Sequence, residues 1–360
     1  MNNMKLTVIA KVKPLTKHKR QLLDSAIEEF TNCINDWLNA IDSIGSCSRA
    51  KLHKQFYKHF REKYQLMSGI ISMAMITAIE IYKSWLAVKG KKKPEFTSDC
   101  MYISSQNVKI KENGIVIPTF PRQRLFLPLH LSDYHKRLLK HKYGRVIVQK
   151  RNDNEYYVFI PVEVPVEQPY EPQGFLGVDF GYYNIITVVD EQGKLIMQIS
   201  GEELINRKIR YEEQRARRQK RLAKRFGITK PLGHKDRNFV HDLNHKIAKQ
   251  LVLTAKQLRK ALVIENLKGL KQNVKHKGKH IRKVIQRWPY ADLIDKIKHK
   301  ATLYGVPVIE VDPVNTSKMC SVCGHINENL GSNRIFKCPK CGLTIDRDLN
   351  AAINIVRKIW

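Results

Sequence analysis

Two short runs, Cys320-Ser321-Val322-Cys323 and Cys338-Pro339-Lys340-Cys341, constrain the end of this chain more tightly than any other feature. They hold four of its seven cysteines, with residues 324–337 as the loop between them. Two CxxC knuckles joined by a loop of that length bring four thiolates together tetrahedrally, the donor set and geometry of one structural zinc ion. Gly324 and Gly342 each follow the second cysteine of a knuckle, where a backbone without a β-carbon can turn its amides toward the sulfurs. Two disulfides are the alternative. No secretory signal is read in the sequence, however, so a reducing compartment is expected. A ribbon of this size explains its own stability and no chemistry, so any reaction must come from the residues around it.

Lys and Arg number 65 against 33 Asp and Glu, a formal charge of +32 on 360 residues. Such an excess repels itself in a compact state and calls for a polyanion; nucleic acid is the commonest, and an acidic membrane surface is the rival. The longest uncharged stretch, which contains Gln65 to Ile79, falls short of the roughly 20 residues a spanning helix needs. No lipidation signal is read either. The length suits two or three domains of a soluble, cytosolic protein.

Residues Lys5 to Lys13 alternate, with Leu6, Val8, Ala10 and Val12 on one face of a half-buried strand that Pro14 stops. Thr16 can cap a helix whose apolar positions run from Leu22 through Phe30 and Trp37 to Ile41 at helical spacing. A second helix is expected from about Ser48, and a third, Ser68 to Val88, is apolar on most sides and central to a small bundle. Cys33 and Cys47 read as small hydrophobes. After the basic run Lys89 to Pro94 the signal changes to short strands: Ile115 to Ile117, Leu125 to Leu127, Val146 to Val148 and Tyr156 to Val162. The strand at Lys5 has no partner nearby in sequence and is placed in this sheet, with the bundle inserted between. A Pro-rich linker, Val162 to Pro172, closes the first half.

From Phe175 the pattern is different. Phe175 to Asp179, Ile185 to Val189 and Leu195 to Ser200 read as three consecutive antiparallel strands. A long polar helix from Glu202 to about Arg225 follows, then a more apolar one from Asn238 to about Lys260. Ala261 to Ile264 is a continuous apolar run of buried-strand type ending in Glu265. A basic loop (Lys268 to Lys283), a helix from about Tyr290, a strand from Val306 to Val311, the ribbon and a last helix complete the chain. This order, βββ, α, β, α, β, α with the ribbon inserted, is that of a ribonuclease-H-like α/β domain.

Asp179 and Glu265 each end an apolar strand, and Asp348 lies on the last helix. Three carboxylates converging at a sheet edge repel one another unless divalent cations neutralise them, and hard oxygen donors suit magnesium or manganese. Two such ions about 3.5–4 Å apart can activate a water and stabilise the leaving oxygen of a phosphodiester. Nucleic-acid cleavage is the function implied. Asp346, two residues before Asp348, is the competitor for the third position, or else a helix cap or a partner of Arg347; Asn350 is a candidate to orient a neighbouring carboxylate. Arg215, Arg217, Arg218, Lys220, Arg221, Lys224 and Arg225 cover most of the polar helix's circumference. They are expected to contact nucleic-acid phosphates, with a solvated face as the alternative. The loop Lys268 to Lys283 adds further basic residues, and Tyr57, Tyr64, Trp85 and Tyr102 are either stacking platforms for bases or packing.

Gly177-Val178-Asp179-Phe180-Gly181 with Asn184, Ile264 to Gly269, Val311-Asp312-Pro313 with Thr316 to Cys320, and Asp346 to Ala352 together resemble the split RuvC nuclease and zinc ribbon of the TnpB family. The likeness runs from about Phe175 to Ile355, and the family is encoded by insertion-sequence transposons and related to type V CRISPR effectors. The first half is similar to the family's wedge and recognition domains. The resemblance implies an α+β multidomain protein: a wedge β-barrel (1–14 and 89–172), an inserted helical recognition bundle (15–88), a RuvC nuclease (173–315 and 343–360) and a zinc ribbon (316–342). It implies an RNA-guided DNA endonuclease in a prokaryotic cytoplasm, with a transposon-derived guide RNA, a target DNA and a short motif beside the target. Asp179, Glu265 and Asp348 take its catalytic positions, and Arg334 matches a recurrent arginine facing the scissile phosphate. A compact CRISPR effector, a transposase acting in strand transfer and a nuclease-inactive RNA-guided repressor are the alternatives.

Overall fold

A computed structural model of the chain describes residues 3–88, 92–151, 155–181, 183–227, 233, 235–266, 288–331 and 333–359. These form two compact units, Met1–Pro165 and Val166–Trp360. The expected loop Lys268 to Lys283 lies outside the described residues.

In the first unit, β1 (Asn3–Lys11) precedes three helices, α1 (Lys17–Ile44), α2 (Arg49–Lys63) and α3 (Ser68–Ala87). Thr16 caps α1 as its position suggests, its hydroxyl accepting from the Lys19 amide, and Gly45 ends the helix in the left-handed conformation. The strands β2 (Cys100–Ile103), β3 (Lys109–Lys111), β4 (Gly114–Pro118) and β5 (Arg124–Pro128) follow, then α4 (Asp133–Leu138), β6 (Val146–Lys150) and β7 (Tyr156–Pro165). β1 does pair across the insertion, running antiparallel to β7 from Asn3↔Pro165 to Lys11↔Tyr157. Val8 and Ala10 of β1, Trp37 of α1 and Met75 of α3 share one core.

The closed barrel expected here is not seen among the described strands. The described strands make an open sheet, β1-β7-β6-β2, and a separate three-stranded one, β3-β4-β5. Among the described residues a single bridge, Val12↔Leu129, joins them, flanked by bonds from the Lys13 amide to the Pro128 carbonyl (2.7 Å) and from the His130 amide to the Lys11 carbonyl (2.9 Å); Pro14, just beyond, has no amide to carry the ladder further. α3 matches its expected span, Ser68 to Val88, to within one residue, and by length and composition alone it could cross a membrane. Its buried residues, Ile70, Ile71, Ala74 and Met75 among them, are instead absorbed by this unit's core.

The second unit is built on one five-stranded sheet, β10-β9-β8-β11-β12, from β8 (Phe175–Asp179), β9 (Asn184–Asp190), β10 (Leu195–Ser200), β11 (Ala261–Glu265) and β12 (Val308–Val311). β8, β9 and β10 are antiparallel neighbours, whereas β11 runs parallel to both β8 and β12. β12 starts two residues later than expected because Pro307 has no amide to donate. Helices α5 (Glu202–Phe226), α6 (Lys235–Gln257) and α7 (Tyr290–Leu303) precede the ribbon hairpin β13 (Ile335–Lys337) and β14 (Thr344–Asp346), and α8 (Arg347–Arg357) comes last.

Side chains alternate across this sheet. Leu176 and Val178 of β8, with Leu262 and Ile264 of β11, enter the core shared with α6 and α7. Val263 packs on the opposite face with Ile355 of α8. Gly177 lies on that face too, and a β-carbon there would stand 2.3 Å from the Ala352 carbonyl oxygen and 2.5 Å from Val356 Cγ2. β8 and α8 therefore approach to a distance that only glycine permits.

Candidate functional site

A strand's period of two decides where its last residue points. Asp179 follows Gly177 by two and Glu265 follows Val263 by two, so both carboxylates face α8. They are also neighbours along the sheet, since Ile264↔Val178 is the last registered pair of β8 with β11 and the two acids are one step beyond it. Asp348 lies in the first turn of α8, and an added β-carbon on Gly181 would sit 3.5 Å from Asp348 Oδ1 and 3.6 Å from Asp179 Oδ2. The three acids named from the sequence thus share one end of one sheet face.

Their electrostatics follow from that placement. Burial, and then the charges of Asp348 and Glu265, hold the Asp179 carboxyl well above the usual range. Burial raises Glu265, opposed by a bond from Thr316. Burial also raises Asp348, opposed by Asn184 and by the positive charges of Arg334 and Arg347. Among the described residues none of the three forms a direct ion pair. Three acids with raised pKa values on oxygen donors are the arrangement that a hard divalent cation relieves.

The partners of these carboxylates sort the neighbouring candidates. Asn184 Nδ2 donates to Asp348 Oδ2 at 2.7 Å. Thr316 Oγ1 lies 2.5 Å from Glu265 Oε1. Asp346 caps α8: its Oδ1 accepts from the amides of Asp348 (2.9 Å) and Leu349 (3.1 Å), while its Oδ2 pairs with Arg334 at 3.5 Å rather than with Arg347. Asn350 does not orient a carboxylate as expected. Fully buried, it accepts from the Ser321 amide at 2.9 Å and donates to the Met319 carbonyl at 2.8 Å, tying the ribbon to α8. Arg334 itself lies 4.2 Å from the Tyr183 ring centre, at the rim of the acidic site. Sequence reasoning passed over Thr316 as a contact of Glu265, for no local pattern links residues 51 positions apart.

The four cysteine ligand atoms gather within 4.8 Å of one another, with Sγ–Sγ separations of 3.6 Å for Cys320–Cys341 and 3.5 Å for Cys323–Cys338. A tetrahedron of Zn–S bonds requires about 3.8 Å, so the set fits a zinc ion. Both knuckles have one design. Gly324 and Gly342 take φ of 72° and 74°, and their amides return to the carbonyls of Cys320 (3.0 Å) and Cys338 (3.1 Å). Burial works against the Cys338 thiolate, yet amides of Cys341 and Lys340 aimed at its sulfur hold the thiol down to about 6. Cys341 moves the opposite way, to about 12: the Leu343 amide works against the rise, which burial and the bonds of Cys323, Cys338 and Cys320 produce.

The basic helix forms as expected, and its cations differ in their contacts. Arg217, Arg218, Lys220, Arg221, Lys224 and Arg225 are exposed on α5, whose one buried residue is Ile205. Arg215 instead pairs at 2.8 Å with Asp236, a carboxylate buried to 7% exposure that requires a counter-charge. Tyr57, Tyr64, Trp85 and Tyr102 all find partners inside their own unit: His53, Asp36, Tyr82 and Phe30 respectively.

The fold is a mixed α+β one similar to those of Cas12f and Cas12j, and here it carries an acidic sheet end and a four-cysteine cluster. The chain superposes on a Cas12f1 structure in complex with sgRNA and target DNA with TM-score 0.61 at 18% identity, over 94% of this chain and 81% of that one. It matches a crRNA-bound CasPhi-2 (Cas12j) with TM-score 0.54 at 11% identity, covering 99% and 98%. Residues 290–355 match the profile "Cas12f1-like, TNB domain", 159–271 "Probable transposase" and 22–118 "Uncharacterized protein MJ0013 family". The TnpB-like protein MJ0751 of Methanocaldococcus jannaschii is 28% identical over 266 residues, 69% of this chain and 92% of that protein. The CRISPR-associated endodeoxyribonuclease Cas12f1 of Syntrophomonas palmitatica is 29% identical over 214 residues, 55% of this chain and 42% of its own length. Against three such Cas12f1 proteins the aligned part spans 42%, 51% and 45% of the relative. The chain is thus similar to TnpB-like proteins and to Cas12f1 nucleases.

Proposed function

We propose that this chain is an RNA-guided DNA endonuclease whose cutting groups are Asp179, Glu265 and Asp348. The observation that carries the reading is the convergence of these three acids on one sheet face, each with a raised pKa and without a paired cation among the described residues. The guide RNA and DNA that accompany the Cas12f1 structure support the same classes of partner here. In this reading residues 173–315 and 343–360 form a RuvC-type nuclease, 316–342 the zinc ribbon, and the first unit the wedge and recognition parts.

Each residue has a task that its contacts support. Asp179, Glu265 and Asp348 would hold magnesium or manganese, which supplies an activated water and positive charge at the leaving oxygen. Asn184 fixes the carboxylate plane of Asp348. Arg334, drawn against Tyr183 and Asp346, offers a guanidinium at the rim where a phosphate would enter. The exposed arginines and lysines of α5 neutralise phosphates without reading bases. Persistence of all three acids argues against an RNA-guided repressor that has lost cleavage.

Purified protein carrying its copurified RNA tests the reading. Because the acids act on the transition state while affinity comes from charge and base pairing, Asp179→Ala should bind target DNA like the wild type and leave it uncut. Full cleavage by this variant, or by the wild type without divalent metal, overturns the assignment.

A further inference from the structure

Residues 316–321 lead into the first knuckle, and two buried asparagines of α8 grip them. Asn354 Nδ2 donates to the carbonyls of Thr316 (2.8 Å) and Met319 (2.7 Å). Asn350 holds the Met319 carbonyl and the Ser321 amide. Both asparagines are fully buried, so these bonds do not compete with water and their geometry is rigid. On the other side of the same segment, the Thr316 hydroxyl lies 2.5 Å from Glu265 Oε1. Thr316 is itself buried, at 2% exposure. A continuous set of bonds therefore runs from Glu265 at the end of β11, through Thr316 and Asn354, to the helix that carries Asp348.

Asp348 and Asp179 are already registered to each other by the flush contact of α8 with Gly177. Glu265 has no equivalent: the sheet places its backbone, but a glutamate side chain has three rotatable bonds beyond it. Among the described residues Thr316 is the side chain hydrogen-bonded to it.

We propose that Thr316 is a positioning residue, a hydroxyl on the ribbon's leading segment that locks the Glu265 carboxylate at the spacing from Asp179 and Asp348 that a divalent cation requires. The ribbon then does more than stabilise itself, for its first knuckle anchors the strap that sets the third carboxylate. This rests on the reading of Glu265 as a cation ligand, and the test separates the two.

Mn²⁺ is titrated into the full-length chain freed of nucleic acid, with the free ion followed by electron paramagnetic resonance and bound zinc measured in parallel. Loss of an outer-shell partner typically weakens metal affinity 10–100-fold, so Thr316→Val should bind Mn²⁺ more weakly by about that factor while keeping its zinc. Thr316→Ser, which restores the hydroxyl, should return to wild-type affinity. Cleavage by the RNA-loaded protein should follow the same ranking, with target binding unchanged. If valine does not fold, alanine takes its place in the comparison. Wild-type Mn²⁺ affinity in Thr316→Val overturns the proposal, as does equal weakening by serine and valine or loss of zinc from the valine variant. Glu265→Ala is the control: if it too binds Mn²⁺ as the wild type does, Glu265 is not a ligand and the underlying reading fails; if it alone weakens binding, only the role of Thr316 is lost.

Discussion

Asp346 commits one carboxylate oxygen to two amides of the first turn of α8 and the other to Arg334, while Asp348 is held by Asn184 and faces Asp179. Two acids two positions apart therefore differ in what their loss removes. Asp346→Ala should cost about 0.5–2 kcal/mol of stability through the missing cap and leave part of the cleavage. Asp348→Ala should abolish cleavage with little loss of stability. Melting curves beside cleavage rates check this, and a larger cleavage loss from Asp346→Ala would transfer the third ligand to Asp346. Asp179 gives a second residue-scale prediction. Its folded pKa is raised, so the folded protein takes up a proton more readily than the unfolded chain. The group's contribution is then fully present below its unfolded value and is lost as pH rises through the raised folded value. In magnesium-free buffer the wild type should lose stability toward neutral pH relative to Asp179→Asn. At neutral pH the variant should be more stable, by on the order of 1–3 kcal/mol. Superimposable stability curves for the two proteins would show that Asp179 carries no such penalty.

Elements whose signal is periodic and long were legible: α1 with its Thr16 cap, the apolar runs of β8 and β11, and the polar α5 all stand within a few residues of expectation. β3 and α4 were not, because three and six residues are too few to display a period. Barrel closure was illegible for another reason, since it depends on which strand ends meet rather than on any strand's composition. The acids could be named from the sequence because each ends an apolar run or stands in a motif. Roles set by distant contacts were not legible: Asn350 and Thr316 acquire theirs from partners 29 and 51 positions away, and Arg215 is taken by Asp236, 21 positions on. Gly177 belongs to this scale as well, since it governs how two elements meet. Gly177→Ala would drive a methyl into the α8 backbone at a site where a β-carbon lies 2.3 Å from an oxygen that cannot move alone. Overpacking of this kind costs typically 1–3 kcal/mol, and here it would also shift Asp348 away from Asp179. Reduced stability together with a cleavage loss larger than that stability loss explains is expected; wild-type cleavage in a folded Gly177→Ala protein would mean that the close packing does not set the site.

At the scale of the molecule the dominant quantity is the charge of +32. It is not spread evenly over roles. Arg215 and several lysines, such as Lys260 beside Asp190 and Glu191, serve internal pairs, whereas the second half of α5 carries exposed cations on a helix with no buried residue after Ile205. A helix of that kind gains little from core packing and keeps a strong positive potential along its length. Arg217 forms one exposed pair, with Glu213 at 3.6 Å, of a sort worth little in water and readily exchanged for a phosphate. Neutralising phosphates releases condensed counterions, so affinity for nucleic acid should fall linearly with the logarithm of salt concentration, with a slope set by the number of contacts. Replacing Arg217, Arg218 and Arg221 together by Gln removes three of them, and the slope for RNA binding should shrink by about 2–3. The fold should survive, because none of the three is buried. Arg215→Gln should behave differently, destabilising the protein by uncovering Asp236 while leaving the salt slope nearly intact. An unchanged slope in the triple variant would move the phosphate-contacting surface off α5.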